Sequence, residues 1–581
     1  MGRKTVFFII MTMIAALTFT EEGFLYRPFT EEDISLMKDS AGVRGTEKNY
    51  NVIIKGFGTG FAPPSAGWYE NIAGRGRILA GTAGMKAPAS YDNSVKIWFP
   101  PIGNQMYEGS CSCWAAVYYM RTFLEAKERG WDFSTASWDV PNNQPSPAEF
   151  RLKTFTPDFV YHQINGGGDN GSWTGDAAEL MSQIGACLWD HMPYDDDNHT
   201  AWPSEAAWRN APPYRTGGDT WIYLNDSGIV SMKDVLSTEK LIAIAIDAYE
   251  YDKFGPDDLL TADSYTSAVT NHANTVVGYD DNYGPYMEGG ISKTGAFKVA
   301  NSWGTGSWEN VSDGFWWISY AAIKKLAYTW AHYYEDRTAY EPQLLAVLNI
   351  SHAARGDLIR KFQRIGGATK SFDEIYYRGG ANPYPSNDIV LDITDITGTG
   401  PQDVYRLSLK DLSSGEPYPD NAGTDNDGDV GTSTTGSIQK FCIEDYSAAG
   451  SDYSTQTPGA NWCSIQIPKN TANGGTITVD VSAFEDTTPV TVDISDSRIY
   501  PNPLISSKNS SVTITDIPLD GEVTVYTLAG QEVYCYKNKT AAGSHIWGGV
   551  NSDGDALASG IYICVVKDGD RSKVMKLVIV K

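Results

Sequence analysis

Apolar positions along this chain change their period several times, and each change marks a different kind of element. Cys113, Ala116, Val117, Met120 and Leu124 recur at helical spacing and form one apolar stripe. Lys127 and Arg129 suit the negative end of a helix dipole and Gly130 suits a stop, so the pattern predicts a helix from about Cys111 to Gly130. Residues 176–185 carry a second helical pattern. Residues 241–246 are a continuous apolar run that predicts a central strand, and the β-rich run 271–279 follows it. Beyond about Tyr340 Trp becomes rare, Thr, Asp, Gly and Ser rise, and short strand-like runs alternate with turns, which predicts β-sandwich modules.

The first twenty residues follow another logic. Arg3-Lys4, the apolar run from Val6 to Phe19 and the polar exit Thr20-Glu21-Glu22 predict a secretory signal peptide over residues 1–20. The apolar run is shorter than the roughly 18 residues a membrane span needs, and no other stretch qualifies, so no membrane span is expected in the mature chain. A length of 581 residues implies several domains with ample core, and 41% hydrophobic with 12% aromatic content is that of folded protein. Forty-five basic against 71 acidic residues give a net charge of −26, which argues against nucleic acid or an anionic membrane surface as partner.

Chemistry concentrates at the start of the predicted helix, in the segment Asn104-Gln105-Met106-Tyr107-Glu108-Gly109-Ser110-Cys111-Ser112-Cys113-Trp114. Cys111 falls in a Gly-Ser turn at the first residues of that helix, where free N–H groups and the positive dipole end favour a thiolate. Cys113 competes for the role. The two lie about 200° apart around a helix and cannot face the same way. Cys113 belongs to the apolar stripe; Cys111 does not. A lone Cys is more often a small buried hydrophobe than a nucleophile, so partners are required. His272 opens His-Ala-Asn-Thr-Val-Val-Gly, and Asn301 opens Asn-Ser-Trp-Gly, followed by Trp308 and by Gly314 before Phe315-Trp316-Trp317. An imidazole can take a thiol proton and later protonate a leaving amine. An Asn side-chain carbonyl can fix the ring, and a Trp beside it can shield that hydrogen bond from water.

These segments together resemble papain-like cysteine peptidases over roughly residues 90 to 340. In that family a Gln about six residues before the nucleophile donates to the oxyanion; Gln105 precedes Cys111 by six and Cys113 by eight. The spacings 272 − 111 = 161 and 301 − 111 = 190 exceed the usual roughly 130–150 and imply insertions, for instance over residues 280–294. The resemblance implies a Cys-His-Asn triad of Cys111, His272 and Asn301, with Gln105 and the Cys111 N–H at the oxyanion. It also implies substrate binding by Gly166 and Gly167, a cleft wall where no side chain blocks a substrate backbone, and by Trp303, which in addition shields the His–Asn bond. Protein or peptide substrates and hydrolysis through an acyl-enzyme follow, with no cofactor or catalytic metal required. The Cys-Ser-Cys-Trp arrangement departs from the family's Cys-Trp pair. A non-catalytic surface or adhesion protein on the same fold is therefore the rival reading, and acyl transfer to an amine uses the same triad.

The expected architecture is an α+β papain-like domain, with a helical half and a β-barrel half, over 91–345, followed by two all-β sandwiches. Residues 21–90 are an N-terminal extension or an inhibitory propeptide; their Gly-rich stretch is Lys55-Gly56-Phe57-Gly58-Thr59-Gly60. Residues 346–488 resemble the P domain, a jelly roll appended to many peptidases, and Asp425, Asp427 and Asp429 within them could ligate structural calcium, although Gly436 replaces the Glu of an EF-hand. Residues 489–581 resemble the Ig-like sorting domain of proteins exported by the bacterial type IX secretion system, which implies that machinery as a partner and a bacterial surface or extracellular location. Seven Cys leave one nucleophile and up to three pairs, with Cys113–Cys187, Cys442–Cys463 and Cys535–Cys564 as candidates.

Overall fold

The computed structural model describes residues 18–19, 23–40, 50–62, 64, 76–82, 86–306, 308, 311–371, 382–397, 403–416, 431–448, 450–482, 494–508, 511–518, 521–538, 544–552, 554–569 and 571–581. The expected calcium ligands Asp425, Asp427 and Asp429 lie outside these residues, as does the expected signal peptide apart from Thr18–Phe19, which form a strand paired with Tyr26 and Leu25. The chain folds as two compact units, one of residues 1–397, 406–460 and 468–479, the other of residues 398–405, 461–467 and 480–581.

An eleven-stranded sheet organises the first unit. Its strands lie in the order Thr18–Phe19, Phe24–Arg27, Gly76–Thr82, Thr216–Tyr223, Trp330–Asp336, Ile242–Ile246, His272–Asp280, Ala296–Ala300, Phe315–Ser319 and Leu259–Leu260, with Ser90–Asp92 also paired to His272–Asp280. All five residues of Ile242–Ile246 are buried, which is why that strand reads as an unbroken apolar run and not as an alternating one. The N-terminal residues belong to this sheet, since Gly76–Thr82 runs parallel beside Thr216–Tyr223.

One long helix crosses the sheet. It begins as α-helix at Cys111–Cys113, widens to a π-helical winding over Trp114–Arg121, and returns to α-helix over Thr122–Arg129. Gly130 ends it with φ 65°, a left-handed conformation that glycine adopts without strain. The helix is buried from Cys111 to Ala126, so packing against its neighbours, more than helix propensity, holds it. Buried Arg121 ties it to the sheet: its guanidinium reaches Glu125 one turn on and donates to Asp336 Oδ1 at 2.9 Å.

The β module beginning near residue 344 is built on a five-stranded sheet around Leu344–Ser351 and Ser437–Asp445 and a four-stranded sheet around Leu358–Arg364 and Val404–Asp411. Phe362 and Phe441 meet between the sheets with ring centroids 6.1 Å apart. The module is bound into the first unit and does not stand apart from it. Arg215 donates to Asp392 at 2.6 Å and to Asp395 at 2.7 Å, and Arg209 donates to Glu444 through both terminal nitrogens.

The second unit is all-β, with a three-stranded sheet of Ile499–Tyr500, Val512–Ile514 and His545–Trp547 and a five-stranded sheet of Leu504–Ile505, Arg571–Val580, Gly560–Asp568, Glu522–Thr527 and Glu532–Lys537. Val523, Val525, Cys564, Val566, Leu577 and Ile579 form its core with Trp547. Cys442 and Cys463 are disulfide-bonded, whereas Cys113, Cys187, Cys535 and Cys564 are free thiols, so two of the three expected pairs do not form. Order along the chain does not bring two Cα atoms within bridging distance. No helix among the described residues is long and apolar enough to cross a membrane.

Candidate active site

Cys111 begins the long helix, and His272 begins the strand against which that helix packs. The Ala273 N–H donates to Cys111 Sγ at 3.3 Å, which holds the thiol at the first two residues of the His272 strand. His272 Nε2 bonds Asn301 Oδ1 at 2.7 Å, while its Nδ1 is buried with no hydrogen-bond partner. Asn301 Oδ1 also accepts from Asn274 Nδ2 at 2.9 Å and from the Ser302 N–H at 2.8 Å. A carbonyl oxygen held by two other donors cannot turn away, so it fixes the imidazole. Trp303 lies 4.8 Å from the His272 ring at 32° and covers it.

Gln105 enters from the turn before the helix. Its Oε1 accepts from Ser302 Oγ at 2.6 Å, and its Nε2 donates to Glu108 O at 2.8 Å and to Thr59 O at 3.4 Å. Ser302 thus orients the Gln105 amide while its neighbour Asn301 orients the imidazole. Cys113 is turned elsewhere, with Sγ 3.9 Å from Ser172 Oγ. Trp114 packs among Tyr118, Trp138, Trp189 and Tyr194, the nearest ring centroid at 4.7 Å.

Thr59 belongs to a chain segment that threads these residues. The Gly58 N–H donates to Met106 O at 2.7 Å; the Gly60 and Phe61 N–H groups donate to Asn271 O at 3.1 and 2.9 Å. On the other side the Ser172 N–H donates to Gly60 O at 2.8 Å and the Ala62 N–H to Ser172 O at 3.0 Å. Phe57 stacks on Trp303 at 5.2 Å, and Phe61 is buried with Cys111, Trp173, Ala273 and Tyr328. The backbone approaches so closely that a Cβ on Gly58 would lie 2.3 Å from Glu108 O, and one on Gly60 2.1 Å from Gly109 O. The alternation of Gly in the Gly-rich stretch reflects this contact.

The backbone facing that segment is Gly171-Ser172, and a Cβ on Gly171 would lie 2.4 Å from Gly60 O. Gly166 and Gly167, expected in the cleft wall, instead form a left-handed turn. The Gly167 N–H bonds Asn165 Oδ1, and Gly167 O accepts from Asn382 of the β module.

The electrostatics also differ from expectation at Cys111. Burial pushes its thiol up to about 12 against the opposing Ala273 N–H, and burial pushes His272 down to about 4 against its bond to Asn301. Both groups are neutral in this arrangement. A helix start favours a thiolate when water reaches the sulfur; here desolvation is the larger effect. Gln105, Asn271, Ser302 and Ser172 complete the enclosure. Gln105 and Ser302 stand within sequence motifs, although the motif assigned Ser302 no role; Asn271 and Ser172 adjoin a motif residue or a Gly and act largely through backbone.

Comparison with known proteins adds a separate finding. Residues 498–581 match the family model of the secretion system C-terminal sorting domain. The chain is therefore an exported protein of the cell surface or extracellular space, and this domain is its point of contact with the type IX secretion machinery. No curated protein matches the chain. Among solved structures it is similar to PorZ, a bacterial surface component of the type IX secretion system of Porphyromonas gingivalis, at 22% identity over 19% of this chain and 14% of PorZ, with a TM-score of 0.16. It is similar to xylellain, a cysteine protease from Xylella fastidiosa, at 18% identity over 43% of this chain and 87% of that one, with a TM-score of 0.30. It is also similar to the digestive procathepsin L2 proteinase of Tenebrio molitor, at 19% identity over 49% of this chain and 79% of that one, with a TM-score of 0.34. Likeness this partial says nothing about activity.

Proposed function

We propose that the chain is an exported papain-like cysteine endopeptidase whose site is closed by its own residues 57–62. The observation that carries this reading is the His272 ring, with Nε2 fixed on Asn301 Oδ1, Nδ1 left without a partner, and the Cys111 thiol held at the adjoining residue. In the open site His272 takes the Cys111 proton, and the thiolate adds to the scissile carbonyl. Gln105 Nε2, which points at the Thr59 carbonyl in the closed site, stabilises the oxyanion. The C–N bond breaks with the proton passing from the imidazolium to the leaving amine. Water, deprotonated by His272, then hydrolyses the thioester.

Closure acts in two ways. The backbone of residues 58–61 fills the position of a substrate backbone, and its exclusion of water keeps the thiol and the imidazole neutral. The desolvated thiol also favours the rival reading of an inert scaffold, and one experiment separates the two. Full-length protein, before and after limited proteolysis, is treated with an epoxide-type thiol inhibitor and weighed as intact mass, in native, Cys111→Ala and Cys113→Ala forms. A peptidase gives one adduct that grows after proteolysis, disappears only in Cys111→Ala and parallels casein cleavage. No adduct in any form after reduction would leave the scaffold reading.

A further inference from the structure

A second buried histidine lies just behind the oxyanion turn. Glu108 occupies the turn between Gln105 and Cys111, and Asp158 and His162 stand one turn apart on the helix Asp158–Ile164. His162 Nε2 is 3.2 Å from Glu108 Oε1 and 3.9 Å from Asp158 Oδ1, and the three groups present ligand atoms within 4.8 Å of one another. All three side chains are at most 1% exposed.

The hydrogen bonding leaves this group short of positive charge. His162 Nδ1 faces the Ala201 carbonyl at 2.9 Å, an atom that only accepts, so Nδ1 carries the ring proton. Nε2 of the neutral ring then points a lone pair at two carboxylates. Glu108 Oε2 and Asp158 Oδ1 have no hydrogen-bond partner, while Asp158 Oδ2 accepts from the Asp195 N–H at 2.8 Å. The surrounding charges do not correct this. Asp169 and Asp196 act on Glu108 and Asp195 acts on Asp158, while Arg355, which acts on His162, spends a terminal nitrogen on Thr200 O at 2.8 Å. Ionised, these two buried carboxylates would cost several kcal/mol each without a cation, and burial accordingly pushes both well above the ordinary carboxylate range.

We propose that Glu108, Asp158 and His162 form a binding site for a zinc-type divalent cation. One imidazole and two carboxylates suit that ion, and tetrahedral donors at about 2.1 Å stand about 3.4 Å apart, close to the spacing found. The Nδ1–Ala201 bond sets the tautomer that a metal-binding Nε2 requires. The ion would anchor the turn whose Glu108 carbonyl holds Gln105 Nε2, and so would stiffen the oxyanion donor from behind. Its role is structural; no step of the reaction passes through it.

The test uses the full chain in the Cys111→Ala, Cys535→Ser form, which removes the nucleophilic thiol and the exposed free thiol, both of which would compete for zinc. The protein is dialysed against a chelator, returned to Zn²⁺ alone or Ca²⁺ alone, desalted and weighed by native mass spectrometry, with zinc-edge X-ray absorption on the zinc sample. One zinc per chain, with a nitrogen and oxygen shell at about 2.0–2.2 Å and a raised Tm, is expected. Asp158→Asn, close to the same shape, should weaken retention at least tenfold, and His162→Ala should abolish it. Overturning results are no zinc retained by the folded chain, a sulfur-dominated shell, retention of calcium in place of zinc, or equal zinc in the Asp158→Asn form. The first of these would assign the balance to protons on the two carboxyl groups, which burial pushes well above the ordinary range.

Discussion

His272 and His162 are both buried, one at the start of a strand beside Cys111 and one on a helix against Glu108, yet their surroundings ask opposite things of them. His272 has one neutral partner, the Asn301 carbonyl, and a free Nδ1. Nothing near it compels a charge, so it can gain a proton from a thiol and give it up again. His162 has its Nδ1 fixed on a carbonyl and its Nε2 against two carboxylates. Both of its nitrogens are engaged and burial pushes its pKa down, so it would make a poor proton shuttle. Burial alone therefore does not mark a catalytic histidine; the chemistry of the atom opposite each nitrogen does.

The comparison breaks most visibly at the nucleophile. Cys111→Ala should abolish casein cleavage by the opened enzyme, a loss on the order of 10⁶-fold by analogy with triad knockouts, while Cys113→Ala should retain it. Next is the oxyanion donor: Gln105→Ala should lower kcat by about 10²–10³-fold with little change in KM. Ser302→Ala, which frees the Gln105 amide without touching substrate, should lower kcat in the same direction by less, and a greater loss than in Gln105→Ala would contradict its positioning role. Away from the chemistry, Arg121→Ala leaves buried Glu125 with Arg129 alone and takes the cation from Asp336, and should cost about 3 kcal/mol of stability by denaturant unfolding, with Cys111 labelling intact in the folded fraction.

Much of the site was legible because each member sits in a local pattern. Cys111 follows a Gly-Ser turn, His272 opens a β-rich run and Asn301 opens Asn-Ser-Trp-Gly, so short windows brought them to attention and the fold brings them together. What escaped is long-range. Two glycine-containing stretches, at 166–168 and at 171, fit a cleft wall equally well, and only the pairing of Ser172 with Gly60 and Ala62 distinguishes them. The thiol was expected to ionise easily, and burial, to which Phe61 from some fifty residues upstream contributes, reverses that. The β module was expected to be separate because its composition differs, but composition cannot reveal that Arg209 and Arg215 find their carboxylates there. Buried ion pairs carry no sequence signature of partner choice. The long helix was anticipated from its stripe and its Gly130 stop; its π-helical middle was not, since apolar spacing over eight residues does not separate the two windings.

The claim that residues 57–62 hold the site neutral by excluding water is tested most directly by the pH dependence of Cys111 alkylation. The Cys113→Ala chain is compared with the same chain carrying Gly58→Ala and Gly60→Ala, whose added Cβ atoms cannot fit beneath Glu108 and Gly109. In the closed chain the folded thiol sits at about 12, far above the ordinary value, so the neutral thiol prevails and the rate should be slow at pH 7 and still climbing at pH 10. With the segment lifted, water returns, the thiol falls and His272 rises from about 4, so a thiolate–imidazolium pair should give a rate many-fold faster and level between about pH 5 and 8. The same slow, climbing profile in both chains, with the segment shown to be displaced by its susceptibility to protease, would contradict the account.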